Sequence, residues 1–232
     1  MTGRPRQLAF DLPQRQALGR DDFLVTPSNA AAVELIDSWP AWPSNTALLI
    51  GPAGSGKTHL VEVWRQRSAA NRVAASDLSV DLAPEQIATG ALAIEYNGGA
   101  LNERAMFHLL NLAKQQNNSV LITAQKHPEA WGVSLADLLS RLRAIPAVEI
   151  LPPDDDLLRG VLVKLFFDRQ IAAEEATISF LITHMPRSLG AARMLVHEID
   201  RRALEERAEV TRPFVAKVLA EFSAPELFAD DD

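Results

Sequence analysis

Hydrophobic and polar positions change their pattern twice along the chain, and each change predicts a boundary. Residues 1–19 are mostly polar apart from one apolar hexapeptide, whereas from Asp21 onward short apolar runs alternate with stretches of helical spacing. After the sequence PPDDD at 152–156, only the helical spacing remains. The pattern therefore predicts four parts: an N-terminal tail (1–19), an α/β domain (20–152), a helical domain (153–222) and an acidic C-terminal tail (223–232).

Short apolar runs bounded by turn residues predict the strands of the α/β domain. Most of these runs are continuous rather than alternating, which is typical of a parallel sheet covered on both faces. The runs are TALLI (46–50), RVAAS (72–76), ALAIEY (91–96), SVLITA (119–124) and AVEIL (147–151).

Apolar residues repeated every three or four positions predict helices between these strands and throughout the second domain. The first helix covers 28–39 with Ser28 as its N-cap, and the sequence PAWPSN ends it. Strands that alternate with helices imply a three-layer αβα domain with a parallel sheet. The other predicted helices are 57–68 and 102–116 in this domain, and 154–169, 174–184, 188–207 and 211–222 in the helical domain.

The sequence GPAGSGKT at 51–58 matches the phosphate-binding pattern G-x-x-x-x-G-K-T, with a predicted strand before it and a predicted helix after it. Its glycines let backbone N–H groups point at phosphate oxygens, its lysine adds a positive charge, and its threonine offers a hydroxyl to Mg²⁺. A glycine-rich turn with a chance lysine is the alternative. We expect ADP or ATP to contact Gly51, Pro52, Ala53, Gly54, Ser55, Gly56, Lys57, Thr58 and His59.

A P-loop domain needs an acidic residue at the end of a neighbouring strand for the Mg²⁺ shell, and Glu95 is the candidate. Together with Thr58, it is expected to hold Mg²⁺. An ordinary acid at a strand end is the alternative. The next position, where ATP-hydrolysing relatives have a second carboxylate, is Tyr96, and Asn97 follows. A phenol is a poor base at neutral pH, and an amide does not accept a proton. The sequence therefore predicts nucleotide binding with weak or no autonomous hydrolysis.

Composition narrows the class of protein. Hydrophobic residues make up 47% of the 232 residues, and the net charge of −7 argues against a general electrostatic affinity for DNA. The chain has no cysteine, which excludes disulfides and thiolate metal sites. No apolar run is long enough to span a bilayer, and the start lacks the apolar core of a signal peptide. We therefore expect a cytoplasmic protein without a membrane span.

Taken in order, these segments resemble the AAA+ superfamily and, within it, the replication initiator DnaA, over roughly residues 20 to 222. The sequence DDFLVTPSNAAA is similar to the family segment that contributes to the adenine pocket, which implies contacts from Phe23 and Val25. The sequence LITAQKHP resembles the sensor 1 strand, which implies that Thr123 lies near the γ-phosphate. The resemblance also implies that the helical domain is the lid of the nucleotide site.

Two arginines match family motifs. The sequence LADLLSRLRA resembles the segment that supplies an arginine finger to a neighbouring subunit's nucleotide, which implies that role for Arg141. The sequence MPRSLGAARML resembles the sensor 2 helix, with Arg187 as the arginine that reaches the nucleotide from the lid. The alternatives are a solvated helix face for Arg141 or Arg143, and an ion pair with a nearby acid for Arg187.

Two departures from DnaA point from an initiator to a regulator. The chain ends about ten residues after its last predicted helix, so we expect no helix-turn-helix domain for duplex DNA, and Glu95-Tyr96 replaces the paired acids. The layout resembles the Hda/HdaA family of short DnaA homologues. That resemblance implies an ADP-bound protein that docks on the DNA-loaded sliding clamp, the β subunit of DNA polymerase III. There it would supply Arg141 to ATP-bound DnaA, trigger hydrolysis and prevent re-initiation.

The hexapeptide QLAFDL at 7–12 resembles the clamp-binding peptides found near the start of Hda proteins. The resemblance implies that Gln7 is the polar anchor and that Leu8, Phe10 and Leu12 fill an apolar pocket of the clamp. DNA would then be reached mainly indirectly, through the clamp. A first strand packed on the α/β domain is the alternative.

Two other functions stay open at this point. One is a DnaA-like ATPase that loads a helicase or acts in replication or transposition, and the other is a nucleotide-dependent adaptor without catalytic consequence. The choice between ADP and ATP is also open. Because AAA+ subunits share nucleotide sites, the resemblance implies a homodimer or a larger AAA+ assembly as a candidate state.

Overall fold

A computed structural model describes residues 23–222 of the chain. They belong to two units, one that ends at Pro152 and one that begins at Pro153. The hexapeptide at 7–12 and the acidic C-terminal tail lie outside the described residues.

A parallel sheet forms the centre of the first unit, and among the described residues it contains five strands in the order β2-β3-β4-β1-β5. Parallel strands place all their carboxyl ends at one edge of the sheet. At this edge lie the end of β1, where the P-loop begins, and the ends of β3 and β4, where Glu95 and Thr123 lie. The strands are β1 (Thr46–Ile50), β2 (Asn71–Ala74), β3 (Ala91–Tyr96), β4 (Ser119–Ala124) and β5 (Ala147–Glu149).

Helices cover both faces of this sheet, which confirms the predicted three-layer α/β fold. Alternate residues of β3 show the two faces, because Ala93 belongs to the core shared with α1 and α2, whereas Ile94 belongs to the core shared with α4. Both side chains are fully buried. The helices are α1 (Ala30–Asp37), α2 (Lys57–Ser68), α3 (Ala83–Gln86), α4 (Glu103–Gln116) and α5 (Ala136–Arg143).

The start of α1 differs from the sequence prediction, which was wrong in naming Ser28 as the N-cap. The N-cap is Asn29, one residue later. The Ser28 hydroxyl lies 2.8 Å from the Thr26 hydroxyl, and the Asn29 side chain closes the preceding turn. It accepts a hydrogen bond from the Thr26 N–H at 2.9 Å and donates one to the Leu24 carbonyl at 2.9 Å. The segment before α1 is therefore fixed to the helix by one amide side chain.

Four helices make up the described part of the second unit, as the sequence predicts. Their inward faces form one apolar core in which Leu158, Leu181 and Leu195 are fully buried. Asp154 caps the first of them by accepting a hydrogen bond from the Leu157 N–H at 2.8 Å. No helix within residues 23–222 is long and apolar enough to cross a membrane. The helices are α6 (Asp155–Asp168), α7 (Glu175–His184), α8 (Leu189–Glu206) and α9 (Arg212–Phe222).

A carboxylate on α8 pairs with two arginines of the same helix, and one of these arginines also pairs with α9. Glu198 accepts hydrogen bonds from Arg201 at 2.7 Å and Arg202 at 2.5 Å, and Arg202 also donates to Glu221 of α9. The hydrogen bond from Arg201, followed by the one from Arg202, lowers the pKa of Glu198 from 4.5 to about 2. The ionised carboxylate is therefore favoured in the folded protein.

We expect Glu198→Gln to lower the free energy of unfolding by about 1 kcal/mol at neutral pH, because the variant loses a partly exposed network of charges. Since folding lowers this pKa, the contribution is present above the unfolded pKa and is lost as the pH falls towards the folded value. Urea unfolding of both proteins should therefore give stabilities that converge progressively between about pH 5 and pH 2. Equal stability at pH 7 would contradict this role, and Glu205→Gln, which breaks an exposed pair with Arg201, is the control.

Candidate nucleotide-binding site

The P-loop is a turn that only glycine allows at several positions. Gly54 and Gly56 have positive φ angles of 70° and 100°, which disfavour any side chain. A Cβ atom at Gly51 would lie 2.8 Å from the Ser55 hydroxyl and 3.2 Å from the carbonyl oxygen of Ile150. The loop is therefore closely packed between the end of β1 and the residue after β5.

Lys57 places its charge at the mouth of this loop. Its Nζ donates hydrogen bonds to the carbonyls of Gly51 at 2.7 Å and Pro52 at 2.8 Å. Burial lowers the pKa of Lys57, and the negative charge of Glu95 partly opposes that shift. The Ser55 hydroxyl is buried and has no hydrogen-bond partner among the described residues. A cation, an unused hydroxyl and the start of α2 together suit a bound phosphate group.

The segment proposed for the adenine pocket has one buried and one exposed apolar residue. Phe23 is buried, and its ring makes an edge-to-face contact with the His59 ring at a centroid distance of 5.0 Å. Val25 is 48% exposed and is available to a ligand. The Leu151 N–H donates to the Ser28 carbonyl at 3.0 Å, which fixes the segment beside the end of β5. Phe23 therefore stabilises the segment, whereas Val25 offers apolar surface.

Glu95 and Thr123 lie side by side on neighbouring strands, since they are partners in the register of β3 and β4. Thr123 is buried, and Leu49 of β1 is its partner on the other side. The Glu95 carboxylate does not project freely into the site. It accepts a hydrogen bond from Arg72 of β2 at 2.6 Å.

The residues expected to hold Mg²⁺ fit that role only in part. Thr58 is exposed at the first turn of α2, so its hydroxyl is available to a cation. Glu95, by contrast, is already paired with an arginine. No cluster of three or more His, Asp or Glu side chains suited to a metal ion occurs within residues 23–222. Within residues 23–222, the expected magnesium ligands thus offer a hydroxyl and a carboxylate that is already paired.

Tyr96 belongs to the core and not to the nucleotide site. Its ring packs against Trp131 at a centroid distance of 4.4 Å, and its hydroxyl donates to the Trp131 carbonyl at 3.4 Å. Tyr96 is 6% exposed and lies in the core under α4. Glu95 points to the opposite face, because successive strand residues alternate. The position where a second acid would activate water is therefore occupied by a packing residue.

Arg141, proposed as the arginine finger, lies exposed on α5, and its side chain forms no hydrogen bond or ion pair with another described residue. Its guanidinium lies over the Phe107 ring of α4, 4.7 Å from the ring centroid. This cation–π contact orients the side chain and leaves its N–H donors available. Arg143, on the same helix, instead donates to Glu129 at 2.9 Å. The two arginines of α5 therefore differ, because the Arg143 side chain is paired with a carboxylate and the Arg141 side chain rests on an aromatic ring.

Helix α4 also fixes the start of α5. The Glu103 carboxylate accepts hydrogen bonds from the N–H groups of Ser134 at 2.9 Å and Leu135 at 2.7 Å. The bonds from these two backbone groups lower the pKa of Glu103. Because Glu103 and Phe107 are four residues apart, they lie on one face of α4. One face of α4 therefore contacts both the beginning of α5 and Arg141.

Arg187, proposed as the sensor 2 arginine, lies in the second unit just before α8. Its guanidinium pairs with Asp155 at 2.5 Å and donates to the Pro153 carbonyl at 3.3 Å. Both partners belong to the same unit, at the start of α6. This is the ion pair that the sequence left as the alternative for Arg187.

Sequence reasoning missed two residues of the site. Arg72 contacts Glu95 across two strands, and only the register of those strands reveals the contact. Phe107 is partly buried beside Met106 and Leu110 and packs against the core under α4, so the sequence pattern does not distinguish it from a core residue.

Solved structures of the replication initiator DnaA have a fold similar to that of this chain. Domain III of the replication initiation protein DnaA from Thermotoga maritima matches 92% of this chain and all of that domain, with a TM-score of 0.75 and 17% identity. This likeness shows that the chain has the fold of DnaA domain III. AMPPCP-bound DnaA from Aquifex aeolicus has a TM-score of 0.65 and 17% identity, over 80% of this chain and 65% of that one.

Sequence comparison finds similarity to an uncharacterized protein and to DnaA initiators. No family model matches the chain. The chain is 28% identical over 184 residues to an uncharacterized protein of Haemophilus influenzae, covering 73% of this chain and 79% of that protein. It is 28% identical over 189 residues to chromosomal replication initiator protein DnaA 2 of Chlamydia caviae. That match covers 69% of this chain but only 41% of the initiator, so it concerns less than half of that protein.

We expect Lys57→Ala to weaken binding of ADP by at least roughly tenfold, because the variant removes the cation from the phosphate loop. Titration of a fluorescent ADP analogue measures the affinity. Lys114→Ala, which removes an exposed lysine in the last turn of α4, is the matched control and should bind as the wild type does. Unchanged affinity in Lys57→Ala would show that ADP does not use this loop.

Proposed function

We propose that this protein is a regulator of chromosomal replication initiation, similar to the Hda/HdaA proteins. In this proposal it binds adenine nucleotide, with ADP as the working ligand, and docks on the DNA polymerase sliding clamp. It then supplies Arg141 to the nucleotide of ATP-bound DnaA, which stimulates hydrolysis there and prevents re-initiation.

The state of Arg141 is the observation that carries this proposal. Its guanidinium is exposed, rests on the Phe107 ring and is not used by any carboxylate among the described residues. An arginine supplied to another subunit must keep its donors for phosphate oxygens, because its effect comes from stabilising charge that develops there. A side chain that is held in place by a ring, with its N–H donors still available, suits that task.

Tyr96 supports an activator rather than an independent ATPase. Since its hydroxyl is bound to the Trp131 carbonyl within the core, it is not positioned to deprotonate water at a nucleotide. An arginine finger supplied in trans contributes about 10³- to 10⁵-fold in rate to its partner. A protein with little hydrolysis of its own can therefore have a large effect on DnaA.

Adenine nucleotide is supported by the loop and by the relatives. The backbone of the P-loop, Lys57 and the exposed Val25 together offer a phosphate site and an apolar surface in one unit. DnaA from Aquifex aeolicus, which shares the fold, was solved with AMPPCP. We infer that ADP or ATP binds this chain in the same loop.

We expect Arg141→Ala to abolish stimulation of ATP turnover by DnaA, with a loss of about a hundredfold or more, because the transition-state charge loses its partner. The assay measures phosphate release by DnaA with DNA-loaded clamp and this protein. Arg143→Ala is the matched control, since it removes an arginine from the same helix that is already paired with Glu129. It should retain most of the stimulation.

Two results would contradict the proposal. One is the absence of any stimulation by the wild-type protein in the presence of DnaA and DNA-loaded clamp. The other is full stimulation by Arg141→Ala. Binding of ADP by each variant, measured separately, shows whether a loss of stimulation reflects a damaged nucleotide site instead.

Docking on the clamp rests on the hexapeptide at 7–12, which lies outside the described residues. We expect the double variant Gln7→Ala with Leu8→Ala to lose clamp binding, because it removes the polar anchor and an apolar contact. Surface plasmon resonance with immobilised clamp measures this, and affinity for ADP should not change. The substitutions Gln14→Ala and Leu18→Ala, outside the hexapeptide, form the control pair. Normal clamp binding by the first variant would assign the hexapeptide another role.

A further inference from the structure

The pairing of Glu95 is the feature that the proposed function does not explain. In P-loop proteins an acid at this position serves the magnesium shell. Here its carboxylate accepts a hydrogen bond from Arg72 at 2.6 Å. The Glu95 side chain is only 14% exposed and that of Arg72 is 41% exposed, so the acidic end of the pair is shielded from water. Charge-assisted hydrogen bonds of this length are among the strong ones in proteins.

The sheet builds this contact into the fold. Arg72 is the register partner of Ala93, and Ala74 is the register partner of Glu95. Arg72 and Glu95 therefore lie on one face of two adjacent strands, displaced by two residues along the strand direction. Both direct partners are alanines, which leave room for the long arginine side chain to reach diagonally to the carboxylate. The contact depends on strand geometry and not on a loop.

A second cation acts on the same carboxylate. Lys57, at the mouth of the P-loop, has a pKa that the charge of Glu95 raises against the larger effect of burial. Glu95 is thus influenced by two positive side chains, Arg72 in direct contact and Lys57 across the site. A divalent cation gains little from an acid whose charge is already balanced by arginine.

We propose that Arg72 pairs with the Glu95 carboxylate and thereby keeps it out of a magnesium shell. ADP then binds to this site with little dependence on Mg²⁺. The inference rests on the nucleotide-binding part of the proposed function. It would suit a protein that remains bound to its nucleotide without hydrolysing it, because a magnesium-linked acid serves transfer of the terminal phosphate. Arg72 is then a positioning residue that acts through Glu95.

The test compares the affinity for ADP in excess Mg²⁺ with the affinity in EDTA, for each protein. For the wild type we expect the two values to agree within about twofold. For Arg72→Gln, which frees Glu95, we expect Mg²⁺ to strengthen binding by roughly tenfold. Because both values come from the same variant, a loss of folded protein cancels in the ratio. A purely structural ion pair would not change this ratio.

Three further variants complete the design. In the double variant Arg72→Gln with Glu95→Gln, the affinities for ADP with Mg²⁺ and with EDTA should again agree within about twofold, since the carboxylate at position 95 is gone. Arg72→Lys keeps the charge and should stay close to the wild type. Arg143→Gln breaks an exposed arginine–glutamate pair elsewhere in the same unit and should leave the ratio unchanged.

The inference is overturned if Arg72→Gln shows the wild-type ratio, or if the wild type itself binds ADP much more tightly with Mg²⁺. Each of these results would leave nucleotide binding intact and reject only the role of Arg72. A wild-type protein that binds no ADP under either condition would overturn this inference and the proposed nucleotide site together.

Discussion

Parallel pairing of β1, β3 and β4 is the constraint on which the rest of the site depends. It brings the carboxyl ends of three strands to one edge of the sheet, although the residues there are far apart in sequence. The hydrogen bond from the Gly51 N–H to the Ala124 carbonyl, 3.1 Å long, joins the start of the P-loop to the end of β4. Because the helices on both faces bury this sheet, the edge is a rigid support for a charged ligand.

The residues of the candidate nucleotide site and those that support Arg141 lie on opposite faces of the sheet. Glu95 and Thr123 lie on the face of α2, close to the P-loop, whereas Tyr96 lies on the face of α4 and packs against Trp131. Helix α4 in turn contacts α5, because the Phe107 ring of α4 orients the Arg141 side chain of α5. The face of α2 thus holds residues of the candidate nucleotide site, and the face of α4 supports an exposed arginine. This division agrees with a protein that holds one nucleotide and acts on another.

The parts of the fold that sequence predicted are those determined by local pattern. The strands Thr46–Ile50 and Ser119–Ala124 match their predicted bounds, because a continuous apolar run between turn residues has few other solutions. The P-loop is recognisable because its glycines and lysine are fixed by the backbone turn that they form. The contact of Arg72 with Glu95 and that of Phe107 with Arg141 were not predictable, since each joins two elements whose relative register only the folded structure defines. The N-cap of α1 was missed because Asn29 competes with Ser28 within one turn.

We propose that this protein promotes hydrolysis in a partner and not in its own site. The most direct measurement compares ATP turnover by this protein alone, by DnaA alone, and by the two together on DNA-loaded clamp. We expect background turnover for this protein alone and, for the mixture, a rate well above the sum of the two separate rates. Fast turnover by this protein alone, with a mixture that only adds the two rates, would contradict it.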